Sequence, residues 1–280
     1  MKKHFILSLV FIFSFACSIS RAETQQYEIL HTPEQEEAHQ RELEEKRLRV
    51  ERGPFSLYPF GDFDKENQNF YGFAPLWTYS PRDFYGLGVG IYSEVERDVV
   101  GVLLSVKDTV HGDFTGIQMA GLLSETKGDL TGIQAGCLSI TRGDFNGIQM
   151  AGLLSFTEGD FTGIQAGYFS ITEDDFTGVQ LGLLNSSSDS AHDEFLGIQL
   201  GGIVSGVCGD FLGLQISCVY NLVEEDFTGL QFCGVNDVYG DFTGLQVGLF
   251  NFVEGNLHGI QIGLWNECKQ GNMPLINIRF

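Results

Sequence analysis

The side chains best able to do chemistry in this 280-residue chain recur on a fixed line. An aspartate opens unit after unit in the run Gly-Asp-Phe (Asp113, Asp144, Asp160, Asp210, Asp241), and a glutamine follows each one in the same register. Regularly spaced carboxylates can collect divalent cations, but aspartate after glycine is first a turn former, and that role is expected here. The glycine-rich nonapeptide of calcium-binding repeats is absent. The glutamines form the second series: Gln118, Gln134, Gln149, Gln165, Gln180, Gln199, Gln215, Gln231, Gln246 and Gln261. A primary amide donates and accepts, so a row of them can satisfy itself, and these ten are expected to be structural.

Other candidates are weaker. Cys17, Cys137, Cys208, Cys218, Cys233 and Cys268 make no Cys-x-x-Cys pair, which argues against zinc and redox motifs. Cys208, Cys218 and Cys233 are expected to pack as small apolar side chains rather than to join in a disulfide. The six histidines are dispersed, His111, His192 and His258 falling in or beside turns, and no His/Glu/Asp cluster has linear ligand spacing. Gly86–Gly90 has the glycine content of a nucleotide loop but no helix after it. No catalytic residue, cofactor or metal site is assigned, and the chain is not expected to be an enzyme. A net charge of −21, with only 16 lysines and arginines, argues against nucleic acid, which basic patches recognise.

The elements that position these residues begin with a leader. Met1-Lys2-Lys3 is basic, Phe5–Ala16 is apolar, and Ser20-Arg21-Ala22 places small residues before a cut at Glu23. The apolar run is too short to span a bilayer, so residues 1–22 read as an export signal. Lipid attachment at Cys17 is the alternative. Residues 23–68 are a polar helical or disordered linker: Thr32-Pro33-Glu34 suits a helix start, Arg41–Arg52 mixes acids and bases, and Gly53-Pro54 ends it. Residues 69–280 are the repeat domain, with roughly thirteen units of about fifteen residues and a closing strand at Pro274–Phe280.

Each unit reads as β. Thr162, Ile164, Ala166 and Tyr168 alternate with Phe161, Gly163, Gln165, Gly167 and Phe169. From the first glycine to the closing Ser or Asn no residue is charged, as in Gly116–Ser124, Gly178–Asn185 and Gly244–Asn251. A strand with one wet face would normally carry charge there. The span matches a tilted membrane strand, so the leading expectation is an all-β, antiparallel closed barrel of 13–14 strands in an outer membrane. Its apolar face (Ile164, Val179, Leu245) would meet lipid, its glutamines would line the lumen, and each opening phenylalanine would sit near an interface. The alternative is a β-solenoid with one coil per repeat. Sixteen-residue units gain their extra residue just after the glutamine, at Met119 and Met150, where a corner absorbs an insertion more easily than a continuous strand does.

The line Gly-Ile/Leu-Gln-x-Gly-Leu-x-Asn, best carried by Gly178–Asn185, Gly244–Asn251 and Gly259–Asn266, resembles bacterial surface-repeat proteins of spirochaetes and related Gram-negative groups. The resemblance runs from about Asp83 to Phe280 and implies an envelope location, with no catalytic residue attached to it. The expected function is that of a non-enzymatic envelope protein, exported to the outer membrane or cell surface. As a barrel it would be structural or porin-like, with membrane lipid as its partner. As a solenoid it would be a surface binding or adhesion module. One distance separates the two folds: Phe145 and Phe161 lie roughly 5 Å apart if coils stack, and on the order of 30 Å apart across a hairpin.

Overall fold

A computed structural model describes residues 60–63, 70–80, 83–187 and 193–280. The expected leader, most of the 23–68 linker and His192 lie outside the described residues. The strands are β1 (Phe60–Phe63), β2 (Phe70–Ser80), β3 (Phe84–Val95), β4 (Val99–Val110) and β5 (Phe114–Thr126). They continue as β6 (Leu130–Thr141), β7 (Phe145–Thr157), β8 (Phe161–Thr172), β9 (Phe176–Ser187) and β10 (Glu194–Val207). Three coils are then split in two: β11 (Asp210–Ser217) with β12 (Tyr220–Val223), β13 (Phe227–Phe232) with β14 (Val235–Val238), and β15 (Phe242–Val247) with β16 (Phe250–Val253). The chain closes with β17 (Leu257–Cys268) and β18 (Gly271–Arg279).

From β2 to β17 every neighbouring pair is parallel and like residues stand on like: Phe145 on Phe161, Gly147 on Gly163, Gln149 on Gln165. The rings of Phe145 and Phe161 stack with centroids 4.9 Å apart. The fold is therefore a β-solenoid of about twelve turns with about 15 residues per turn, and the barrel expectation is corrected. An up-and-down barrel joins antiparallel neighbours through short turns. Here the second half of each unit carries the chain back beneath its own start, so the next unit begins in the same direction.

The corner between the halves lies just after the glutamine. The register shifts between Met119 and Leu123 and between Met150 and Leu154, and this is where the longer units house their extra alanine. Strand alternation is lost there too. Phe161 and Gln165 share the inward side, as their alternation pairs them, but beyond Gly167 the chain turns, so Phe169 is outward and Ser170 is buried. The inward columns are Phe, Gln, Ser or Asn, and Thr or Val, and all are nearly solvent-free. Seven phenylalanines from Phe145 to Phe242 stack at 4.6–5.0 Å with ring planes within 7° of parallel. The opening phenylalanines thus belong to the core and not to a membrane interface.

Glycine at the third position of each unit has a steric cause. Gly163 has φ 137°, a region disfavoured for residues with a Cβ. A Cβ there would stand 1.9 Å from the carbonyl oxygen of Gly147, one coil earlier. The same clash recurs from Gly101 to Gly259. Both ends of the stack are closed antiparallel, β1 on β2 and β18 on β17.

Gly163→Ala is expected to lower stability by more than about 3 kcal/mol, because it adds backbone strain and forces adjacent coils apart. Thr162→Ala, one residue away and facing outward, should lie within about 0.5 kcal/mol of wild type. Urea denaturation of both variants reads the difference.

Candidate functional site

The ten repeat glutamines come together in one buried file. Gln165 shows the bonding. Its Nε2 donates to Gln149 Oε1 at 3.1 Å and to the Ile171 carbonyl at 2.9 Å. Its Oε1 accepts from Gln180 Nε2 at 2.9 Å and from Thr172 Oγ1 at 3.3 Å. Two donors and two acceptors are all that a primary amide has to offer. The chain of amides runs without a break from Gln118 to Gln261, at 2.7–3.3 Å, and Asn277 on β18 donates the next bond to Gln261. These side chains are fully buried inside the coil and line no lumen. A second file, Asn221, Asn236, Asn251 and Asn266, bonds from coil to coil at 2.7–3.0 Å with the opposite polarity, each donating to the following coil.

The opening aspartates sit at the other corner, in the turns. The backbone N–H of Asp129 donates to Asp113 Oδ1 at 2.9 Å, and the same bond links Asp113 to Asp98, Asp144 to Asp129 and Asp160 to Asp144. Each carboxylate thus holds the turn one coil further on. At Asp241, hydrogen bonds from Asn256 hold the carboxyl below the usual aspartate range. Few cations share this edge; Arg142 bridges Glu125 and Glu158.

The fold gathers one set that linear spacing does not show. Ligand atoms of Glu94, Glu96 and His111, from successive coils, lie within 4.8 Å of one another. Lys127 Nζ stands 3.2 Å from His111 Nδ1, and the Tyr92 hydroxyl donates to Glu94. Burial and the neighbouring Glu94 push the Tyr92 hydroxyl up to about 12. His111 Nε2 faces Glu94 at 3.7 Å while Lys127 stands on the other ring nitrogen, so this group reads as a cross-coil polar staple. Among the described residues Cys137, Cys218, Cys233 and Cys268 form no disulfide, and burial pushes the Cys233 thiol up. Gly86–Gly90 lies within β3, an extended strand with no helix to complete a phosphate loop.

The outer surface is the feature that sequence reading placed only in part. Ile164 does face outward, and so does Ile198. Tyr168, which alternation puts on the face of Ile164, is outward as well, but its place at a corner does not follow from alternation. Leu122, Leu153, Tyr168, Val219, Leu249 and Leu264 occupy equivalent places at the tip of the coil and are 45–60 % exposed. The signal was legible, because the residue after the second glycine of the unit is apolar almost every time. Beside this ridge runs an open trough of about 690 Å³, floored by glycines such as Gly136, Gly152 and Gly167 and walled by Met150 and Leu181. In all ten units from Gly116 to Asn266 the stretch around this corner carries no charge.

Stacked parallel coils, buried amide files and a repeated steric glycine define a β-solenoid repeat protein. No protein-family model, curated protein or solved structure matches the chain.

Two substitutions test the interior. Gln165→Leu removes an acceptor from Gln180 and a donor from Gln149, and should cost about 2–4 kcal/mol; Gln165→Glu, which buries a charge, should cost more at pH 7. Asp108 occupies the Ser/Asn column and is fully buried, accepting a hydrogen bond from Ser105. Burial pushes its carboxyl up to about 6. The unfolded chain releases that proton near about 3.9, so between these pH values the folded state holds a proton that the unfolded state lacks. Stability therefore falls as pH rises through the window and levels off above it. Asn185, in the same column, donates to the Leu200 carbonyl at 2.8 Å, so asparagine fits here. Asp108→Asn should remove the slope and add on the order of 2 kcal/mol at pH 7.5, as thermal unfolding at a series of pH values would show.

Proposed function

We propose that the protein is exported and acts, without catalysing a reaction, as a β-solenoid binding module of a Gram-negative cell envelope. The observation that carries this reading is the separation of charge on the coil. Ten successive units leave the far corner and the strand faces beside it uncharged, with aliphatic and aromatic side chains open to solvent. An exposed apolar surface of this extent marks an interaction site. The leader at residues 1–22 supports export, and the resemblance of the Gly-Ile-Gln-x-Gly line to surface-repeat proteins supports the envelope. A pore has no counterpart in a stack of parallel coils whose glutamines are sealed inside. The constant interior holds coils in register, while the outward positions vary among Thr, Leu, Ile, Met and Ala without altering the frame.

Washed envelope fragments should retain the full-length protein saturably. Ile164→Lys combined with Ile198→Lys, both on the outward face, should weaken retention about tenfold with unfolding behaviour unchanged, whereas Asp160→Asn on the charged edge should not. Equal retention of wild type and the lysine variant would sink the reading.

A further inference from the structure

The ridge at the far corner has a direction, a length and a chemistry. Leu122 and Leu264 lie nine coil steps apart, about 43 Å at ~4.8 Å per step. Along that line the solvent-facing tips are Leu, Tyr, Ile and Val, interrupted by Cys137 and Gly234. The turns at the opposite edge hold Asp113, Asp129, Asp144, Asp160 and their equivalents. The domain is thus amphipathic across the width of the coil, as a surface helix is across its diameter.

We propose that this ridge is a lipid-docking edge: the solenoid lies lengthwise on a zwitterionic lipid surface, with the corner residues at the headgroup–acyl boundary and the acidic edge in water. The proposal rests on the reading of the outer surface as the binding element and names its partner. Four observations favour lipid over protein. The ridge is a single tip residue per coil, so two rigid copies would touch along little more than a line, whereas a fluid surface conforms to it. The ridge and trough offer a partner almost no hydrogen-bonding side chains, while a protein interface of this extent carries about one hydrogen bond per 100–200 Å². The trough beside the ridge, floored by glycine and alanine, is a slot in which an acyl chain can lie. Phe169, Phe250 and Trp265 flank the ridge and are 38–41 % exposed, and the Trp265 indole N–H is turned to Glu267 Oε2 at 3.3 Å, away from the tip. A ring on the apolar side with its polar atom towards the charged side is the posture of an interfacial aromatic. The net charge of −21 selects against anionic headgroups.

The experiment is flotation of the full-length protein with phosphatidylcholine vesicles, with Trp265 emission followed in a Trp77→Phe background. Wild type should float with the vesicles, its emission should shift to the blue, and raising NaCl tenfold should leave binding unchanged. Leu249→Glu/Leu264→Glu should lower partitioning at least tenfold. Leu249→Ser/Leu264→Ser, which adds no charge, should lower it several-fold, so a loss in both cannot be laid to repulsion, and thermal unfolding unchanged from wild type in both pairs excludes misfolding. Comparing variants with wild type also cancels any contribution of the apolar Phe5–Ala16. Flotation insensitive to both pairs would overturn the proposal. So would a vesicle-independent dimer in sedimentation that the same substitutions dissociate, which would make the occupant a second copy. If vesicle binding fails while envelope retention persists, the binding-module reading stands with a protein partner.

Discussion

A buried primary amide has four hydrogen-bonding positions to fill, and the whole solenoid follows from how Gln118 to Gln261 fill them. One donor reaches the preceding glutamine and the other crosses the coil to a backbone carbonyl. The acceptor takes the following glutamine and, in the earlier coils, a threonine hydroxyl. Only coils stacked in register at strand spacing meet all of these requirements. A slip of one residue would turn every amide outward and bring Ile or Leu into a space lined by Ser, Thr and Asn. The Gly101–Gly259 file enforces the same spacing by sterics, since no Cβ fits beneath the carbonyl of the coil before.

The result inverts the usual radial order of a globular domain. The interior is rich in Gln, Asn, Ser and Thr beside the phenylalanine stack, and the outside of the strands is aliphatic. This is stable because the interior is narrow and the glutamine amides find their partners within one coil step. Where threonine gives way to Val223, Val238 and Val253, the asparagine file stands in the neighbouring column and takes over part of the polar bonding. Its bonds run opposite to those of the glutamines, so the two files of dipoles oppose each other inside the coil. The charged edge is organised by the same stacking: an aspartate that might only repel its neighbour 15 or 16 residues away is tied to that neighbour's backbone N–H. Stability is then a sum over adjacent coils, with closed ends preventing further addition.

Much of this is written in the chain. The period, the strand character, the shared side of Phe161 and Gln165, the outward Ile164 and the corner after Met119 and Met150 all follow from residue types. Direction does not. An uncharged stretch of nine or ten residues satisfies a membrane strand and a solenoid strand equally, because both have one face in a dry interior and one face without charge. The lipid-facing barrel reading took the absence of charge on both faces to mean absence of water on both. In the coil, one face is dry because it is enclosed, and the other is open and apolar. Phe169 shows the local cost of that assumption: alternation places it inward, but the corner at Gly167 turns it out.

The sequence by itself determined repetition, β-structure, the common register of the glutamines and the segregation of charge to turns, since these depend on residue chemistry and spacing within a unit. Burial of the glutamines in a closed file came from the stacking of coils. The tertiary structure alone decided that successive units run parallel, that Glu94, Glu96 and His111 meet across coils, and that the apolar tips from Leu122 to Leu264 align into one ridge opposite the acidic edge. Those are relations between units, and nothing within a single fifteen-residue line records whether the next line returns beside it or stacks upon it.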